Sequence, residues 1–209
     1  MREVLSVISK RFLVILVCIL PVTAHARVVL VLGDSLSAGY GIDTQKGWVA
    51  LLQSRLRDNG LPHRVVNSSI SGDTTSGALA RLPRALSLHH PAIVIVELGG
   101  NDGLRGLSLQ EMRENLAQII RTVRDKGAKV LLLGMRLPPN YGTAYTEKFN
   151  AIYQQLAEAY GVPLVPFLLE GVANRPELMQ DDGIHPRAAA QEQLLENVWP
   201  YLRPLLSVK

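Results

Sequence analysis

An α/β fold on a five-stranded parallel sheet is the architecture this 209-residue chain predicts, and three observations carry the expectation. Apolar runs alternate with amphipathic segments from Val28 onward. Four of the five runs are nearly all apolar, as strands covered by helices on both faces must be. Three of the runs lead into loops rich in Gly, Asp, Asn and Ser, and in open parallel sheets the carboxyl ends of the strands are where ligands bind.

The first strand, Val28 to Leu32, gives way to Gly33-Asp34-Ser35, which reads as a sharp turn into a helix. The second, Arg64 to Asn67, is short and polar and suits a sheet edge. A helix is expected over Ala78 to Leu88, with a kink or a short start at Pro83. His89 and His90 follow at its C-terminal end, where the helix dipole attracts them better than a metal would. After the third strand, Ala92 to Leu98, Ser108 and Glu111 form a capping box. Met112, Leu116, Ile119, Ile120 and Val123 then recur on one helical face until Gly127. Lys129 to Met135 is the fourth strand and Pro163 to Leu169 the fifth. Phe149, Ile152, Tyr153, Leu156 and Tyr160 mark the helix between them, and Leu194, Leu195, Val198 and Leu202 mark the last. Right-handed crossovers leave the flavodoxin-like strand order 2-1-3-4-5 as the simplest solution.

Arg2, Lys10 and Arg11 precede an apolar run from Phe12 to Val22 and then Ala24-His25-Ala26. That order is a signal peptide with an A-x-A cleavage site, and the run falls short of the roughly 20 residues a membrane span needs. The expected division is a signal peptide over 1–26 and a single domain over 27–209, periplasmic or secreted, with no stable membrane insertion after cleavage. The one cysteine, Cys18, lies in the signal, so the domain relies on its core rather than on disulfides. A formal charge of +4, no run of Lys or Arg and few aromatics argue against nucleic acid as a partner.

Ser35 matters most when taken together with Asp182-Gly183-Ile184-His185-Pro186. A hydroxyl, an imidazole and a carboxylate are the parts of an acyl-transfer enzyme, and three-residue spacing on a helical turn would let Asp182 orient His185. That spacing favours Asp182 over Asp181. Attack on a carbonyl builds charge on its oxygen, for which neutral donors are needed. The backbone N–H groups of Ser35 and Gly72 and the amide of Asn101 are suitable, and glycine at position 72 lets backbone approach the substrate closely. A second class of function uses Asp34, Asp73 and Asp102 as an acidic cluster for Mg²⁺ and phosphoryl transfer. It leaves Asn101 and His185 without work, and no lysine follows the fifth strand to hold a phosphoryl group. A binding module without catalysis would be expected to lack Ser35 or His185.

These residues resemble the blocks of the SGNH hydrolase superfamily, also called the GDSL family. Ser35 matches the nucleophile block, Gly72 the glycine block, Gly99-Gly100-Asn101-Asp102 the GxND block, and Asp182 with His185 the DxxH block. Longer stretches, among them Ile70 to Thr74, Glu97 to Arg105 and Leu137 to Gly142, are similar to the bacterial periplasmic thioesterase I, arylesterase and lysophospholipase group. The resemblance implies a flavodoxin-like three-layer α/β/α sandwich and a serine ester hydrolase with catalytic Ser35, Asp182 and His185. It implies an oxyanion hole of Ser35, Gly72 and Asn101, with no metal and no organic cofactor. Gly103 to Gly106 and Leu137 to Gly142 would shape the acyl groove. Expected substrates are aryl esters, acyl-CoA thioesters and lysophospholipids, turned over by a monomer; the alternative within the superfamily is an esterase of carbohydrate or other small-acyl esters. An exported enzyme meets lysophospholipids or exogenous esters rather than acyl-CoA. N-terminal sequencing of protein recovered from the periplasm should begin at Arg27; an intact Met1 in a membrane fraction would contradict the assignment.

Overall fold

The computed structural model describes residues 27–207, and the expected signal peptide lies outside the described residues. Strands β1 (Arg27–Gly33), β2 (His63–Asn67), β3 (Ile93–Glu97), β4 (Lys129–Leu133) and β5 (Leu164–Val165) form one parallel sheet in the order β2-β1-β3-β4-β5. The seven helices among the described residues are α1 (Ser35–Ala38), α2 (Trp48–Asp58), α3 (Thr75–His89), α4 (Gly100–Leu104), α5 (Leu109–Asp125), α6 (Thr143–Tyr160) and α7 (Gln191–Leu202). Helices α2 and α7 pack together, as do α3 with α5 and α5 with α6, so the sheet lies between two helical layers. The expected fold class and strand order are the ones observed.

The central strands follow from burial on both faces. Val29 to Leu32 on β1 and Val94 to Val96 on β3 are wholly buried, and Leu30↔Val94 and Leu32↔Val96 are register partners. Strand order reverses between β1 and β3, which opens a crevice at their carboxyl ends. The polar β2 is indeed an edge strand.

Three expectations are corrected. The fifth strand, expected over Pro163 to Leu169, pairs only at Leu164–Val165. Pro166 has no N–H to continue the ladder, and its backbone crosses where a Cβ on Gly134 would sit, 2.4 Å away. Helix α3 starts at Thr75, where Thr74 Oγ1 accepts from Gly77 N–H, and runs without interruption through exposed Pro83. Burial of Thr75, Ala78, Leu82, Ala85 and Leu86 on one face holds it together across the missing bond. Of the capping box on α5 only the Ser108 half forms, with Ser108 Oγ accepting from Glu111 N–H at 3.2 Å. Helix α2, which shows in the sequence as Trp48, Val49, Leu52 and Leu56, was not anticipated. His90 ends α3 in the left-handed region, and its N–H donates to Leu86 O.

Pro83→Ala should return a hydrogen bond to the Leu79 carbonyl in mid-helix. The gain will fall below the ~3 kcal/mol cost of an interior proline, because proline also restricts the unfolded chain. Urea unfolding should register a stabilisation of about 1–2 kcal/mol, with esterase activity unchanged.

Candidate active site

β1 delivers the nucleophile candidate by ending abruptly. Asp34 caps α1, its Oδ1 accepting from Leu36 N–H at 3.1 Å, and Ser35 takes the first helical position. A first-turn N–H has no partner within its own helix. The N–H groups of Ser35 and Gly72 both lack a protein acceptor among the described residues.

His185 comes from the opposite end of the chain. Ser35 Oγ donates to His185 Nε2 at 2.8 Å, and His185 Nδ1 donates to Asp182 Oδ2 at 2.6 Å. The local structure differs from the expected helical turn: residues 181–184 form a turn in which Asp182 Oδ1 accepts from Ile184 N–H (2.9 Å) and His185 N–H (3.0 Å). A short aspartate side chain can close such a turn on its own backbone, and Gly183 at φ 67° supplies the reversal. The base of the turn is fastened by Gln180 N–H to His185 O and Arg187 N–H to Leu178 O, both 2.7 Å. Asp181 points away, paired with Arg187 at 2.7 Å and almost fully exposed. The Tyr40 ring packs against His185 with centroids 4.5 Å apart, a contact that sequence reasoning did not find.

Asn101 sits on α4, across the crevice. Its Nδ2 donates to Asp34 Oδ2 (3.1 Å), and its Oδ1 accepts from Arg105 Nη2 (3.3 Å). With the oxygen and one N–H assigned, the second N–H remains for a ligand. The same Arg105 nitrogen donates to Gly72 O at 2.9 Å, so one guanidinium ties together the two loops holding the donor candidates. Gly72 has φ 80°, a conformation that disfavours any residue with a side chain.

The three aspartates of the metal alternative are committed elsewhere. Asp73 pairs with Arg81 at 2.8 Å, and Asp102 accepts from Thr75 N–H (2.9 Å) and Thr75 Oγ1 (2.6 Å), anchoring α3. Asp34 serves Leu36 and Asn101. No group of three His, Cys, Asp or Glu side chains suited to a metal occurs among the described residues.

The carboxyl groups have divergent electrostatics. Burial pushes Asp34 up to about 6, against the hydrogen bonds from Leu36, Glu97 and Asn101 and the charge on His185. Partial burial also acts on Asp182, but the hydrogen bonds from His185 and Ile184 outweigh it and hold the carboxyl down to about 2, ionised at neutral pH. Glu97, at the end of β3, is fully buried under the Ser35 turn, and burial together with the Asp34 charge raises it well above the carboxylate range.

Ser35, Asn101 and His185 open onto a cavity of about 390 Å³. Leu104, Met135, Leu137, Phe167, Leu169 and Ile184 supply much of its apolar wall. Leu104 and Leu137 belong to the two loops expected to shape an acyl groove. Tyr141 Oη ties them by donating to Leu104 O (3.0 Å), and from the first turn of α6 Tyr145 Oη donates to Gly103 O (3.1 Å).

Known proteins share this arrangement of sequence and fold. Residues 31–193 match the GDSL-like lipase/acylhydrolase family. The chain is 57% identical over 183 residues to "Esterase TesA" of Pseudomonas aeruginosa, an alignment covering 88% of this chain and 91% of that one. It is 48% identical over 184 residues to "Thioesterase 1/protease 1/lysophospholipase L1" of Escherichia coli strain K12, covering 88% and 87%. Among solved structures, the psychrotrophic esterase EstA from Pseudoalteromonas sp., inhibited by monoethylphosphonate, superposes with a TM-score of 0.82 at 36% identity. That match covers 86% of this chain and 98% of the other.

Proposed function

The chain belongs to the GDSL-like lipase/acylhydrolase family and is a hydrolase of carboxylic esters and thioesters, and we propose that it works through an acyl-enzyme on Ser35. The observation that carries the assignment is the continuous relay from Ser35 Oγ to His185 Nε2 (2.8 Å) and from His185 Nδ1 to Asp182 (2.6 Å), open to an apolar cavity.

Ser35 Oγ attacks the substrate carbonyl as His185 Nε2 takes its proton. Ionised Asp182 stabilises the resulting imidazolium at Nδ1–H and holds the tautomer that leaves Nε2 free to accept. The oxyanion receives N–H groups from Ser35, Gly72 and the unassigned amide hydrogen of Asn101. Collapse expels the alcohol or thiol, which takes the proton from His185, and a water then repeats the sequence on the acyl-enzyme. A thiol, with an ordinary pKa of about 8.5, leaves with little help from the acid. Thioesters are therefore as accessible as oxygen esters.

The apolar wall suits an acyl chain better than a sugar, and the cavity lies within the ~300–1,000 Å³ of small-molecule sites. We extend the proposal to a periplasmic monomer, freed of residues 1–26, that acts on lysophospholipids or exogenous acyl esters. The basic, apolar and A-x-A segments support export. No described helix is long and apolar enough to cross a membrane.

An organophosphonate should attach to Ser35 and abolish hydrolysis of a short aryl ester, as read by mass spectrometry and a rate assay, while a chelator changes little. Chelator-sensitive activity restored by Mg²⁺ would instead favour the acidic-cluster chemistry.

Asn101→Ala removes a donor that matters most once the oxyanion forms. A kcat loss of about 10²–10³ is expected, roughly 2.7–4 kcal/mol, with KM little changed. Steady-state kinetics checks it, with circular dichroism and melting to establish that the variant is folded. Near-normal kcat would return Asn101 to a structural role.

A further inference from the structure

Glu97 has no part in the mechanism above, yet it occupies the most protected position beneath it. Its side chain is fully buried at the last rung of the β1–β3 ladder, opposite Gly33. Oε2 accepts from Ser37 Oγ at 2.7 Å and from Asp34 N–H at 3.2 Å, so it grips the nucleophile turn on both sides of Ser35. Oε1 meets no donor. Asp34 is buried as well, and its N–H reaches Oε2, so the two acids share one apolar environment. Carboxylates contain only acceptors, so a hydrogen bond from Glu97 to Asp34 needs a proton on Glu97. Asp34 already accepts from Leu36 N–H and Asn101 Nδ2, which favours keeping its own oxygens as acceptors.

We propose that Glu97 is a neutral carboxylic acid in the active enzyme, that it donates its proton to Asp34, and that it is the positioning residue for both Ser35 and Asn101. Through Oε2 it fixes the Ser35 turn. Through the shared proton it fixes Asp34, which in turn holds the Asn101 amide. The proposal rests on the assigned roles of Ser35 and Asn101, while its spectroscopic test does not.

The groups around Glu97 favour the neutral form. From the β1–α1 turn Asp34 brings negative charge, and from α6 Tyr153 lies close, its Oη donating to Leu98 O at 2.9 Å. Asp102 on α4 acts on Tyr153 as well. Arg81 on α3 reaches Gly33 O at 3.3 Å, but it is engaged by Asp73 and Ser68. His185 acts on Asp34. Among the described residues no cation forms an ion pair with Glu97. Ionising Glu97 would confront Asp34 with a second buried negative charge and loosen the turn, so kcat should fall on the alkaline side as that proton leaves.

Glutamine reproduces the neutral acid: its carbonyl accepts where Oε2 does, and its amide donates to Asp34. Glu97→Gln should keep kcat at neutral pH within about threefold and lose the alkaline decline. Glu97→Ala should lower kcat on the order of 10²-fold with KM nearly unchanged, because the reacting groups are misplaced. Infrared spectra should contain a protonated-carboxyl band at neutral pH in the wild type that is absent from Glu97→Gln. If Glu97→Gln does not fold, the wild-type band decides: it must be present at neutral pH and vanish on raising pH as kcat falls. A wild type without the band at neutral pH overturns the proposal. So does a band that persists in Glu97→Gln, or a folded Glu97→Gln with kcat reduced a hundredfold. Failure of the phosphonate to label Ser35 would instead count against the serine mechanism.

Discussion

Gly33 faces Glu97 across the last rung of the β1–β3 ladder, and the polar architecture of the site hangs from that pairing. A Cβ at Gly33 would come within 2.8 Å of Glu97 Oε2, Ser37 Cβ and Ser69 Oγ, so the missing side chain is what makes room for the buried acid. With Glu97 seated there, the chain can turn out of β1 with Asp34 N–H and Ser37 Oγ both satisfied. Burying a carboxyl is costly. The apolar β1 and β3 on which it rests provide the opposing burial, some 25 cal/mol per Å² of surface withdrawn from water.

The surrounding polar groups are assigned before any substrate arrives. Asp102 is spent on Thr75, Asp73 on Arg81, and Asp34 on Leu36 and Asn101. Among the described residues, the Ser35 and Gly72 N–H groups and one amide hydrogen of Asn101 are left over, and all three lie at the carboxyl edge of the sheet. In the proposed mechanism, donors held in place in this way would need no reorganisation when charge develops. Arg105 contributes by bonding to Gly72 and Asn101 with one nitrogen, which couples α4 to the loop after β2. Tyr40 and the loop around Gln180 hold the imidazole from behind: the ring packs on His185, and Gln180 Nε2 donates to Tyr40 O at 2.8 Å.

Much of this was legible in the residues. Apolar strands, the stripe on α5 and the polar endings of β1 and β3 led to the fold class, the strand order and the loops that meet. Spacing alone chose Asp182 over Asp181, although for a different local reason: the carboxylate closes a turn on its own backbone instead of lying along a helix. The fifth strand and the start of α3 were misjudged because both depend on distant partners. Pro166 passes over Gly134, and Asp102 anchors Thr75. Local propensity contains neither contact.

By itself the sequence determined which segments are apolar on two faces, where the chain must turn, and which residues carry a hydroxyl, an imidazole and neutral donors. Those are properties of short windows, set by period and side-chain chemistry. Only the tertiary structure decided that Ser35 and His185, 150 residues apart, lie 2.8 Å from one another. It also decided that Glu97 lies under the Ser35 turn, bonded to Asp34 N–H. An apolar strand reads the same whether its final acid faces water or a second carboxyl, and the pairing of β1 with β3 determines which it meets.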